Sequence, residues 1–112
     1  MSAYLLPVVL LIASNVFMTV AWYGHLKYST APLWAVVIIS WSIAFIEYWM
    51  AVPANRIGHQ VYSTAQLKTI QEVITLVVFV GFSTFYLKEP PSLTTVAGFV
   101  LIGLGAMLVF KG

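Results

Sequence analysis

Apolar residues along the chain come in four long blocks, separated by short breaks that carry polar residues, proline or glycine. A helix that crosses a bilayer needs about 20 largely apolar residues, and each block approaches that length. The first block predicts a helix over residues 4–24, with Pro7 early enough in it to be tolerated. His25, Lys27, Tyr28, Ser29 and Thr30 form the next break, and Pro32 opens a second helix over 33–52. Pro53 is expected to end that helix, since the residue before a proline disfavours helical geometry. After a second break, Ser63 and Gln66 form a capping box for a third helix over 64–87. Lys88-Glu89-Pro90-Pro91 stops it, and Ser92 caps a fourth helix over 93–110. The pattern predicts an all-α integral membrane protein, a four-helix bundle forming one membrane domain over 1–112, with both termini on one side.

Aromatic residues mark the same boundaries. Trp22, Tyr23, Tyr28, Trp34 and Tyr86 gather at one membrane surface, and Tyr4, Tyr48, Trp49 and Tyr62 at the other, as headgroup-level belts do. Trp41 lies near mid-helix, either as a packing or lipid-facing residue or as a stacking wall for a cationic or aromatic solute.

Composition narrows the function classes. Hydrophobic residues make up 62% and charged residues 7% of the 112, too little polar surface for a soluble domain. There is no run of Lys or Arg, so nucleic acid has no electrostatic footprint. Without cysteine there are no disulfides, thiolate chemistry or Cys-based metal sites. His25 and His59 are expected on opposite sides of the membrane, and no nucleophile–base pair is evident, so neither a metal, a cofactor nor catalysis is expected. The N-terminus lacks a positive region and its apolar stretch outruns a signal peptide, which predicts a retained helix.

Lys27 and Lys88 fall on one side of the membrane, and Arg56, Lys68 and Lys111 on the other. Basic residues normally gather on the cytoplasmic side, so this near-balance predicts weakly determined insertion. Two copies inserted in opposite directions would pair about an axis in the membrane plane, the geometry of inverted-repeat transporters. Four helices are few for enclosing a solute. On the fourth helix, Gly98 and Gly105 share a face bordered by Gly103 and Ala106, either a dimer contact or packing within one copy.

An ionisable residue near the centre of a span costs about 2.5–3.5 kcal/mol on insertion scales, so each one asks for a reason. Glu47 shares a helical face with Ser40, Ala44 and Ala51 and is expected to point at a close helix contact. Glu72 lies at a similar depth on the third helix, four residues after Lys68, with Gln71 and Thr75 beside them. Lys before Glu is the poorer order for a helical pair, so Lys68 either belongs to a site or merely neutralises Glu72. Asn15 on the first helix is expected to bond across helices or to contact a solute. Gly81 is either a hinge or a point of close approach.

The stretches Asn15-Val16-Phe17-Met18-Thr19-Val20-Ala21-Trp22-Tyr23-Gly24-His25-Leu26-Lys27, Glu47-Tyr48, Val52-Pro53-Ala54-Asn55-Arg56-Ile57-Gly58, and Gln66-Leu67-Lys68 through Gln71-Glu72-Val73-Ile74-Thr75-Leu76 resemble a small bacterial family of the drug/metabolite transporter superfamily. The likeness covers nearly the whole chain. The run from Gly98 to Gly105 and the turn Leu87-Lys88-Glu89-Pro90 are more distantly similar to the small multidrug resistance proteins. That resemblance implies an antiparallel homodimer in the bacterial inner membrane, exchanging protons for cations through a glutamate in the first helix. The matching position here is Asn15, which carries no proton, so coupling would fall to Glu47 or Glu72.

The expectation is a small secondary transporter, a homodimer whose other partners are lipid, a small solute and protons. Glu47 and Glu72 would form its site in a shared pocket. Burial favours the neutral form of a carboxyl and neighbouring carboxylates titrate apart, which suits loading and release of a proton. Lys68 would pair with Glu72 in one state, Arg56 and Asn55 would gate the second loop, and Asn15, Gln71 and Thr75 would offer neutral hydrogen bonds. An anion held by Lys68 and Arg56 is a further option. The rival expectation is a non-transporting accessory or assembly subunit.

Overall fold

The computed structural model describes Ser2 and residues 4–111. Four helices long and apolar enough to cross a membrane make up nearly all of it, and there is no strand among the described residues. They are α1 (Leu5–Tyr23), α2 (Leu33–Gly58), α3 (Thr64–Phe85) and α4 (Leu93–Lys111). A 3-10 segment, Gly24–Tyr28, prolongs α1.

The caps form as the sequence predicts. Ser63 Oγ accepts from the Gln66 backbone N–H at 3.1 Å, and Gln66 Oε1 accepts from the Ser63 N–H at 3.0 Å, closing two of the orphan donors of α3. At α4, Ser92 Oγ accepts from the Thr95 N–H at 3.1 Å. In the turn between them, Glu89 N–H reaches back to Ser83 O at 2.8 Å, and Lys88 takes a left-handed conformation with φ 58°.

The expected end of the second helix is corrected. The α2 helix runs through Pro53 to Gly58. A proline removes one helical N–H, but the turns after it hold, with His59 N–H on Asn55 O at 2.9 Å. Packing outweighs the local preference: beyond the proline, Ala54 is 0% exposed and Gly58 is wedged among other helices. A β-carbon on Gly58 would lie 2.6 Å from Leu67 Cδ2 and 3.2 Å from Pro7 Cβ, so the end of α2 touches the starts of both α1 and α3.

The α1 helix lies between α2 and α3, and α4 leans on α3. Most of the buried side chains belong to α1, among them Leu11, Ser14, Asn15, Thr19 and Ala21. By contrast, none of the described residues of α4 is buried. The assembly measures 46 × 35 × 20 Å, a slab about two helix diameters thick. Its outward faces are apolar, as contact with acyl chains requires.

Candidate functional site

The polar interior begins in the seam between α1 and α2. Glu47, 4% exposed, lies on the α2 face that also carries the buried Ala51 and Ala54, so it points at α1 as its helical position predicts. Ser14 of α1 donates to Glu47 Oε1 at 2.8 Å. Glu47 Oε2 is buried with no hydrogen-bond partner among the described residues. Ser14 lies near the middle of α1, so this carboxyl is close to the membrane midplane. An unsatisfied charged oxygen costs more there than the 1–3 kcal/mol or so of a neutral one. A proton, a cation or an N–H donor would each complete it.

A second polar contact joins α1 to α3. Asn15 Nδ2 donates to Leu11 O at 2.7 Å, and Asn15 Oδ1 accepts from the Thr75 hydroxyl. The same hydroxyl lies 2.7 Å from Gln71 O, so its single proton has two acceptors to choose from. Asn15 and Thr75 are therefore brought together as a cross-helix link.

Glu47 and Glu72 are not brought together within one copy, which corrects the expectation of a shared pocket. Glu72 faces away from the α1–α2 seam, into a shallow groove toward Gly105 and Ala106 of α4. Lys68 Nζ lies 2.8 Å from Glu72 Oε1, with both side chains more than half exposed. The cause is the order of the helices: α1 stands between α2 and α3, so acids at equal depth on α2 and α3 need not meet. Trp41 is also outside the site, 69% exposed on the outer face of α2, in line with the lipid-facing option. Arg56 and Asn55 line a cleft at the second-loop end, where Asn55 Nδ2 donates to Ala51 O at 2.9 Å. A β-carbon on Gly98, Gly103 or Gly105 would meet nothing within 4 Å, so these glycines make no close approach within one copy. The same holds for Gly81, which α3 passes without a break.

Sequence reasoning missed Ser14. Its signal was available, because Ser14-Asn15 is a pair of consecutive polar residues inside an apolar helix. It also missed a cavity of about 340 Å³ at the first-loop end, lined in part by His25, Tyr28, Ser40, Ile43 and Tyr86. Tyr86 closes that end: its hydroxyl reaches Gly24 O at 3.4 Å and Lys27 Nζ stands 4.3 Å from its ring centre. Desolvation first, and then Tyr28, push the Tyr86 phenol above its ordinary range, which keeps it a neutral donor. Along α2 the cavity wall of Val36, Ser40 and Ile43 continues on the same face to Glu47, one turn and about 6 Å further. Among the described residues, no group of three His, Asp or Glu side chains could hold a metal ion.

A family model described as "Putative member of DMT superfamily (DUF486)" matches residues 7–110. No curated protein and no solved structure gives a significant match.

Proposed function

The chain belongs to this DUF486 family of the drug/metabolite transporter superfamily, and from that membership we propose that it is a small secondary transporter whose working group is Glu47. The observation that carries the reading is the unpartnered Oε2 of a carboxyl sealed between two membrane helices. A solute bearing a positive charge or N–H donors would enter from the first-loop cavity and complete that oxygen. A proton completes it equally well, so solute and proton compete for one carboxyl, which is the requirement for exchange. The cavity walls supply tyrosine rings and aliphatic side chains, a surface suited to an apolar organic cation. Glu72 takes no direct part in this scheme.

A second copy of the chain would cover the open glycine face of α4 and the exposed Lys68–Glu72 pair. Small residues allow close helix approach in lipid, where no hydrophobic drive exists between helices. The setting proposed is a bacterial inner membrane.

Uptake of a lipophilic monovalent cation such as tetraphenylphosphonium into vesicles containing the full chain tests the reading, with and without a proton gradient. Uptake should depend on the gradient, vanish in Glu47→Gln and persist in Glu72→Gln. Full uptake in Glu47→Gln would reject Glu47 as the working group.

One observation favours a second reading, an accessory subunit without transport. The Asn15–Thr75 link and the Lys68–Glu72 pair are complete within the chain, as contacts serving only assembly would be. Crosslinking in native membranes separates the readings: a dominant partner of another sequence supports the subunit, a self-pair the transporter.

A further inference from the structure

A larger cleft, of about 590 Å³, opens at the other end of the helices, between the last turns of α2 and the first turns of α3. Asn55, Arg56 and His59 line it from the α2 side, and Thr64, Lys68 and Gln71 from α3. Among the described residues, both fixed charges in its wall are positive and no carboxylate lines it. The chain has three acids to place. Glu47 is sealed in the α1–α2 seam, Glu89 lies in the turn after α3, and Glu72 turns toward α4 while holding Lys68 from outside the cleft. Arg56 makes no ion pair among the described residues.

Two features of the surroundings bear on what the cleft could hold. The cleft adjoins the N-terminus of α3, where the capping box closes the N–H groups of Ser63 and Gln66 and the positive end of the dipole offsets the negative end of α2 on the opposite wall. Next to it, the rings of Tyr4 and Tyr62 meet edge to face with centroids 5.7 Å apart, and Tyr62 donates to Tyr4 O at 3.0 Å, a pairing suited to the headgroup level. A guanidinium at that level presents a planar fork of donors that fits phosphate oxygens, and an ammonium adds a point charge.

We propose that this cleft binds a net-anionic phosphate group at the membrane surface. Arg56 is its principal ligand, Lys68 turns to it from Glu72, and Thr64 and Gln71 add neutral donors. The phosphate belongs either to an acidic lipid headgroup, as in other basic pockets between membrane helices, or to a soluble phosphorylated compound. The site is separate from Glu47, and it stands whether or not that carboxyl carries a solute.

Calorimetric titration of the full chain in neutral detergent tests it, using short-chain phosphatidylglycerol, short-chain phosphatidylcholine and inorganic phosphate as probes. At least one anionic probe should bind, with phosphatidylcholine at least tenfold weaker. Arg56→Gln should weaken binding tenfold or more, Arg56→Lys less, and Glu72→Gln should tighten it severalfold by freeing Lys68. Unchanged circular dichroism of each variant separates these effects from misfolding. Arg56-dependent binding of phosphatidylglycerol alone identifies a lipid headgroup, and Arg56-dependent binding of inorganic phosphate identifies a soluble compound. Equal affinity for the two lipids without phosphate binding, or affinity indifferent to Arg56→Gln, overturns the proposal.

Discussion

Removing the Ser14 hydroxyl probes the contact on which the α1–α2 seam turns. Ser14 is 0% exposed and gives its one proton to Glu47 Oε1 at 2.8 Å. Since Oε2 already lacks a donor, Ser14→Ala leaves both carboxyl oxygens without one. Hydrogen bonds between membrane helices contribute about 0.6 kcal/mol on average and up to about 1.7. A bond to a charged acceptor contributes about 1.5–3 kcal/mol. The size of the loss therefore reports the state of the carboxyl: a loss of roughly 0.6 kcal/mol marks one that holds a proton, and a loss of about 2–3 kcal/mol, above the roughly 1.7 reached by membrane hydrogen bonds, one that is ionised. A double-mutant cycle with Glu47→Leu isolates this contact from the cavity and burial effects of each single change. Unfolding of the full chain from mild detergent into dodecyl sulfate, followed by circular dichroism, supplies the free energies. A coupling below about 0.3–0.5 kcal/mol is indistinguishable from independent sites. That result would refute the hydrogen bond and the inward aim of Glu47 with it.

Outcomes at four further positions are expected in the same unfolding assay. Gly58→Ala should destabilise by on the order of 1 kcal/mol, because overpacking against Leu67 and Pro7 (about 1–3 kcal/mol) exceeds the gain in helix propensity of up to about 1; Gly81→Ala, with nothing within 4 Å, should be neutral or stabilising. Thr75→Val should loosen α1 from α3 by about 0.6–1.7 kcal/mol, and Thr75→Ser should restore most of it. Lys88, at φ 58°, should accept glycine without loss or with a gain of up to about 1–2 kcal/mol, because the clash of its β-carbon is removed, whereas the β-branched Lys88→Val should destabilise.

Much of this architecture could be read from residue order alone. The apolar blocks located all four spans, and Ser63–Gln66 and Ser92 located two helix starts, because lipid-spanning length and capping are local properties. Pro53 misled for the converse reason: its neighbourhood rule is local, while the helix beyond it is held by Ala54 and Gly58 packing against distant segments. The inward aim of Glu47 was legible because small residues at helical spacing flank it. The outward aim of Glu72 was not, since it depends on α1 lying between α2 and α3, an order that periodicity within single helices does not encode. Pairing across helices was legible only as a tendency: Asn15 was expected to find a partner, but the choice of Thr75 required the fold.

The 20 Å thickness of the slab has a bearing on any molecule that visits Glu47. A body two helices deep cannot wall off a guest on every side, so a guest at mid-depth would border the bilayer as well as the protein. Its apparent affinity would then include its own tendency to dissolve in oil. Ranking candidate compounds by partition coefficient as well as by charge follows directly from that shape.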